Sequence, residues 1–278
     1  MEQQLKKRDD FIRFYEEVGA NYPEEKVVYA GLRGRLRKEF IALYLEDAKG
    51  SFLDIGCNAG TYFDFMKGDR VVGIDLSFSI LRKARERSKS LVKSNRYDFL
   101  VGDAQVLNFL RPNQFDLILC SEVLEHLLEP QKVFAGIANL LKPGGKALIT
   151  TPNYRNQKPT WVPLAGLKSF VEGDTYYHTA YRPEELMEMA LQEDLRIMES
   201  GTLEWQIKYA AKLPALKYVV YRFLNRHLFK SEGFDRLNFV FFEKFTLAIY
   251  WFARKTGLEQ LFKRYIKEGV RSYIYVQK

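Results

Sequence analysis

The sequence predicts an α/β protein built on a doubly wound parallel sheet, and three observations carry that prediction. A short apolar run, Ser51-Phe-Leu-Asp-Ile55, opens into the glycine-punctuated turn Gly56-Cys-Asn-Ala-Gly60. A second buried run, Arg70-Val-Val-Gly-Ile-Asp75, ends in a carboxylate. Three further strand-like runs follow, alternating with amphipathic segments and ending in polar or glycine-rich turns, which is the pattern of strands joined by crossover helices.

The elements take their places in order. Residues 1–18 read as an amphipathic helix with Phe11, Phe14, Tyr15 and Val18 on one side, ended by Tyr22-Pro23. A second helix, about Gly31 to Ala48, has Leu32, Leu36, Phe40, Leu43 and Tyr44 at helical spacing, with Arg33, Arg35, Arg37 and Lys38 between them as a solvated face. Gly56 and Gly60 allow a sharp turn against which a ligand can lie, and Asn58 is one of the few residues that tolerates a left-handed conformation. A helix is expected to begin near Gly60, its positive end close to that ligand. Ser77 is placed to cap the next helix, through Leu81 to Arg87.

Tyr97 to Val101 is the third strand, followed by Gly102-Asp103-Ala104, and Gln114 to Cys120 is the fourth. Pro130 starts a helix that Lys142-Pro-Gly-Gly145 stops, and the fifth strand runs to Thr150. Thr150-Thr-Pro-Asn-Tyr154 then lies where open sheets place ligands, ahead of a long, aromatic loop from Arg155 to Ala180. Arg182-Pro-Glu-Glu-Leu186 opens another helix, Leu195 to Thr202 is a sixth strand, and the alternating Arg271 to Lys278 is a seventh.

These residues resemble the class I S-adenosylmethionine (SAM) dependent methyltransferases, of the type 11/23 and ubiquinone-pathway O-methyltransferase kind. The resemblance rests on Asp54-Ile-Gly-Cys-Asn-Ala-Gly60, Gly73-Ile-Asp-Leu-Ser77, Gly102-Asp-Ala104, Phe115 to Leu119 with Glu122-Val-Leu-Glu-His126, and Lys142-Pro-Gly-Gly145. It implies a Rossmann-like, seven-stranded sheet whose last strand is antiparallel and inserted between strands five and six. It also implies SAM as cofactor, with S-adenosylhomocysteine as product. By position, Asp54, Gly56, Cys57, Asn58 and Gly60 would cradle the methionine part. Asp75 and Leu76 would take the ribose, Asp103 and Ala104 the adenine edge, and Ser121 would close the cofactor site. The third glycine of a dinucleotide fingerprint is missing, which argues against a nicotinamide enzyme. The implied organisation is a helical cover at 1–48, a SAM-binding domain at 49–204 with 270–278, and a helical cap inserted at 205–269.

The chain has 278 residues and a net charge of +8. From Trp205 onward there are fifteen Lys or Arg against five Asp or Glu, leaving 28 basic and 30 acidic residues before it. The same stretch holds eighteen of the 41 aromatic residues. Helices are expected at Pro214 to Phe229, Leu237 to Ala253 and Leu258 to Lys267, the second too short and too charged to span a membrane. Two readings stay open: a cap whose aromatics pack internally, or an interfacial surface that meets anionic lipid, with nucleic acid ranked behind lipid. Two cysteines and a charged N-terminus lead us to expect a reduced, cytoplasmic protein, peripheral at the inner membrane face under the interfacial reading.

Methyl transfer from a sulfonium asks chiefly for alignment, and an oxygen nucleophile gains from a general base. His178 is the candidate, against the plainer reading of a loop histidine bonded to backbone. Glu122, Glu125 and His126 stand at i, i+3 and i+4, and would share a helical face that His178 could complete as a metal site. The same pattern also serves to brace a helix, and the site is expected to be metal-free. The expected acceptor is a hydroxyl on a hydrophobic or lipid-linked molecule. The alternatives are a metal-assisted nucleic-acid 2′-O-methyltransferase and a non-catalytic SAM-binding module. Arg33 is a candidate partner for the cofactor carboxylate.

Overall fold

Every residue of β1 (Ser51–Ile55) beyond the first is buried, Phe52 and Asp54 toward one side of the sheet and Leu53 and Ile55 toward the other. Such a strand can only be central. It pairs in parallel with β2 (Arg70–Asp75) on one side and β4 (Phe115–Ser121) on the other. Beyond these lie β3 (Arg96–Val101) and β5 (Leu141–Pro152), also parallel. The chain's last strand, β9 (Arg271–Gln277), runs antiparallel to β5, with Lys146 opposite Gln277 and Pro152 opposite Arg271. With β8 (Arg196–Leu203) at the edge, the order is β3-β2-β1-β4-β5-β9-β8, the doubly wound sheet expected of the sequence. A separate antiparallel ribbon pairs β6 (Thr160–Pro163) with β7 (Thr175–His178). This computed structural model describes residues 12–21, 31–46, 48–91, 96–153, 160–163 and 175–278, with 160–163 and 175–178 described in backbone only.

Among the described residues the α-helices up to residue 191 are α1 (12–20), α2 (Leu32–Leu45), α3 (Phe78–Ser88), α4 (Gln131–Leu140) and α5 (Pro183–Leu191); α6 to α9 are defined below. Phe134 and Ile137 of α4 and Leu186 and Ala190 of α5 pack with Leu53, Ile55, Ile118 and Cys120 in one core. The alternate residues Phe52, Val71, Leu117 and Leu148 are equally buried, so the central strands are covered on both faces. Ser77 caps α3, its Oγ accepting from the Ile80 N–H at 3.2 Å.

One expected element is missing. No α-helix follows the glycine turn; between β1 and β2 there is only a single 3₁₀ turn, Phe63–Phe65. Residues 56–62 are spent on turns closed by the Gly60 N–H on Cys57 O and the Phe63 N–H on Gly60 O. Too little chain is then left to build a helix and still return to Arg70. The helix-end contribution to ligand binding expected near Gly60 is therefore withdrawn.

The chain divides into two compact units, one of residues 1–25, 40–201 and 271–278, the other of 26–39 and 202–270. The second is helical: α6 (Ile207–Ala210), α7 (Lys212–Leu224), a π-helical turn (Asn225–Phe229), α8 (Glu232–Thr256) and α9 (Leu258–Tyr265). Ser231 caps α8 through the Phe234 N–H, so that helix starts earlier than its apolar run alone predicts. Leu32, Ile207, Ala210 and Tyr250 form this unit's small core.

Glu204, left-handed at φ 61°, is buried in the second unit beside Arg37 at 3.6 Å. Burial pushes its carboxyl up to about 7, against the pull of Arg37 and Arg33. A raised acid binds its proton more tightly folded than unfolded, so its cost to stability appears as pH rises from the ordinary carboxylate range to about 7. Glu204→Gln should flatten that decline, by roughly 3 kcal/mol across the window, in urea unfolding followed at pH 4.5 to 8.

Candidate active site

The carboxyl ends of β1, β2, β3 and β4 bring most of the sequence-selected residues to one edge. Ile74 O accepts from both the Gly56 and Cys57 N–H groups, at 2.8 and 2.9 Å, which folds the glycine turn back onto β2. Gly56, Asn58 and Gly60 have φ of 69°, 50° and 75°, the conformation the residue types foretold. A Cβ on Gly56 would run into the Val123 side chain. Asp75 holds the turn from below: its Oδ2 accepts from the Asn58 N–H and its Oδ1 from the Ser77 N–H, each at 3.0 Å. Leu76 is half-buried beside it. Asp103, at the end of β3, accepts from the Gln105 N–H at 2.8 Å, with Ala104 between them.

Two carboxylates in this turn are costly. Asp54 is fully enclosed, and burial, with the charge of Asp75 adding to it, holds its carboxyl well above the usual range. Its Oδ2 has no hydrogen-bond partner among the described residues. Burial raises Asp75 too, opposed by the N–H groups of Ser77 and Asn58. Cys57 lies within the turn and Cys120 on β4, both free, buried and pushed up by burial.

Past β4, Ser121 Oγ lies 2.9 Å from Thr150 Oγ1, tying β4 to β5. Here the expected helical face is absent. Glu122 is left-handed at φ 61°, and only the single 3₁₀ turn Leu124–His126 follows, so the i, i+3, i+4 rule does not apply. Glu125 and His126 stay neighbours, His126 Nε2 lying 3.9 Å from Glu125 Oε1, while Glu122 is engaged elsewhere. Glu122 pairs with the buried Arg271 and accepts from Thr150 Oγ1 at 3.2 Å. Glu125 is buried, accepting from Thr151 Oγ1 at 3.4 Å. The His126 ring packs edge-on against Tyr15 of α1. Among the described residues no group of three or more His, Cys, Asp or Glu is placed to hold a metal ion. The side chain of His178 lies outside the described residues. Its backbone ends β7, and the next residue's N–H donates to Glu125 O at 2.9 Å, which brings the ribbon to this edge.

Sequence reasoning missed two residues. Arg271 was counted only as the start of a strand, because nothing local links it to Glu122; the antiparallel insertion of β9 does. Glu16 of α1 accepts from Ser77 Oγ at 2.8 Å and from the Ser79 N–H at 3.1 Å, laying α1 against the start of α3. Burial pushes Glu16 up, but the hydrogen bonds from Ser79 and Ser77 outweigh it and leave it below the ordinary range. Arg33, the candidate for the cofactor carboxylate, is exposed on α2 in the second unit, where its charge acts on Glu204 and Glu243.

Residues 53–149 match the family model described as a methyltransferase domain. The chain is 30% identical over 195 residues to a ubiquinone biosynthesis O-methyltransferase of Xanthomonas euvesicatoria pv. vesicatoria, covering 67% of this chain and 80% of that one. A namesake from Thiobacillus denitrificans is 35% identical over 153 residues, 53% of this chain and 65% of that one. The crystal structure of the cyclase SpnF shares the fold, with a TM-score of 0.51 at 17% identity over 88% of this chain and 81% of that one. The chain belongs to the class I SAM-dependent methyltransferases. Its cofactor is SAM.

The residues of the methyltransferase fit that cofactor. Asp54 Oδ2, without a partner among the described residues, is a buried acceptor of the kind an ammonium satisfies, and the glycine at 56 keeps side-chain bulk away from the turn. We propose that Asp54, Gly56, Cys57, Asn58 and Gly60 would hold the methionine part, Asp75 and Leu76 the ribose, Asp103 and Ala104 the adenine edge, and that Ser121 belongs to the same cofactor set.

Asp75→Ala and Gly56→Val should each weaken SAM binding at least tenfold in calorimetry while far-ultraviolet dichroism stays native. Because an ammonium favours ionised Asp54, binding below its raised pKa should expel a proton and tighten as pH rises. Calorimetry in buffers of different ionisation enthalpy checks this, and Asp54→Asn should abolish the proton release.

Proposed function

We propose that the methyltransferase transfers its methyl group to a hydroxyl of a hydrophobic or lipid-linked small molecule. The observation that carries this is the match to relatives named ubiquinone biosynthesis O-methyltransferases, which extends over 195 residues and so beyond the methyltransferase domain model itself. When bound, SAM supplies an electrophilic methyl group on a sulfonium. The chain's part is to hold an oxygen nucleophile in line with it and to take that oxygen's proton.

His178 is proposed for the second task, since imidazole is the side chain that takes a proton most readily near neutral pH. The anchoring of residue 179 to Glu125 O and of Tyr181 N–H to Pro152 O, at 3.1 Å, supports a place beside the carboxyl edge. Glu122, engaged with Arg271 and Thr150, braces the floor between β4, β5 and β9 in this reading, and no step needs a metal ion. A lipid-linked acceptor implies a membrane surface as the partner, with the enzyme peripheral at it.

Incubation with methyl-labelled SAM and a lipid extract should give a labelled, solvent-extractable methyl ether, undiminished by chelators. Label found only in amines or in nucleic acid would overturn the acceptor class. His178→Ala should cut kcat by about 10²- to 10⁴-fold with SAM affinity unchanged.

A further inference from the structure

We propose that the tip of the α7–α8 hairpin in the second unit is a docking element for the surface of an anionic lipid bilayer. The inference rests on the lipid-linked reading for its setting and on the exposed surface of this unit for its substance. The hairpin is well made. Asn238 Nδ2 donates to Tyr218 O at 3.0 Å, Tyr218 packs against Phe242, and Tyr221 stacks on Phe234, so the two helices run antiparallel.

Its tip is equally fixed. The Asn225 amide is buried and bonds Ser231 twice, donating to its carbonyl at 2.8 Å and accepting from its N–H at 3.0 Å. The π-helical turn closes at Lys230, left-handed at φ 47°. A tip braced in this way could turn its apolar side chains inward. Instead Phe223, Leu228, Phe229 and Leu237 are 62%, 68%, 58% and 67% exposed, and Leu213 and Leu216 continue the stripe along α7. Holding such groups in water is unfavourable, and an exposed apolar surface with charged neighbours marks a docking site.

The charges choose the partner. Arg222, Arg226, Lys230 and Arg236 ring the tip, and none of the four makes an ion pair among the described residues. Residues 205–231 hold six Lys or Arg and no Asp or Glu, and the acids Glu232 and Asp235 that open α8 leave the tip with an excess of cations. Lys217, over the Phe241 ring at 3.0 Å from its centre, shows how this surface sets cations against aromatic faces. Among the described residues no helix is long and apolar enough to cross a membrane, so the contact would be interfacial, with rings and aliphatic groups among the lipid headgroups and cations at the anionic surface. The exposed leucines offer nothing to the phosphates and bases of RNA, and a protein partner would have to be acidic and apolar together.

The test is flotation of the full chain with vesicles of mixed phosphatidylglycerol and phosphatidylcholine, against phosphatidylcholine alone, at low and high salt and without acceptor. Salt-sensitive binding to the anionic vesicles is expected. The triple variant R222Q/R226Q/K230Q should lose about a hundredfold in partitioning, from roughly fivefold per charge. F223S/L228S should weaken binding at both salt concentrations. SAM affinity and unfolding, measured on the same samples, should not move. No flotation of the unaltered protein, flotation indifferent to both variants, burial of the tip in a stable dimer, or binding to RNA alone would each overturn the proposal. Failure of the acceptor assignment would appear in the methylation assay and leave flotation intact.

Discussion

A single carboxylate holds the proposed cofactor site together. Asp75 accepts from the Asn58 N–H with one oxygen and from the Ser77 N–H with the other, so the turn after β1 and the start of α3 are both registered on the end of β2. Ser77 in turn donates its hydroxyl to Glu16, which brings α1 into the same set. The glycine turn and the start of α3 therefore take their positions from Asp75, and α1 joins them through Glu16. With no α-helix between β1 and β2, this polar set has to shape a loop that a helix would otherwise help to order.

The same arrangement is electrostatically unsatisfied. Burial makes both Asp54 and Asp75 costly to ionise, the charge of Asp75 adds to the cost at Asp54, and Asp54 keeps an oxygen without a partner among the described residues. Polar groups left so are expensive, and proteins tend to retain them where a ligand completes the account. Across the edge the opposite holds. Glu122 and Arg271 compensate one another, and Ser121 and Thr150 bond one another, so the charges of this floor between β4, β5 and β9 are paired. The unsatisfied half is the one that suits a cationic cofactor.

The second unit follows a different economy. Its core is small, centred on Leu32, Ile207, Ala210 and Tyr250, while many of its large apolar side chains remain exposed. The positive charge of the chain is gathered beyond residue 205, where the methyltransferase domain model does not reach. Aromatic and basic residues are thus concentrated where the SAM fold itself does not need them.

Much of the fold was legible because its signals are local. The glycine turn, the acids closing β2 and β3, the Ser77 cap and the stop at Lys142-Pro-Gly-Gly145 each declare themselves within a few residues, and strand burial is written in unbroken apolar runs. Two readings failed for local reasons as well. A helix was expected to begin near Gly60 although the crossover is too short for one, and Glu122 to His126 looked helical although Glu122 turns left-handed. By itself, then, the sequence determined the strands, the polar and glycine-rich turns at their carboxyl ends and the uneven distribution of charge, since these follow from periodicity, residue type and composition. Only the tertiary structure decided that Glu122 meets Arg271, that Glu16 meets Ser77 and that the hairpin tip leaves its apolar groups in water. Each depends on segments brought together across 61 residues or more, or on which face of a helix finds a partner, and neither is encoded in local spacing.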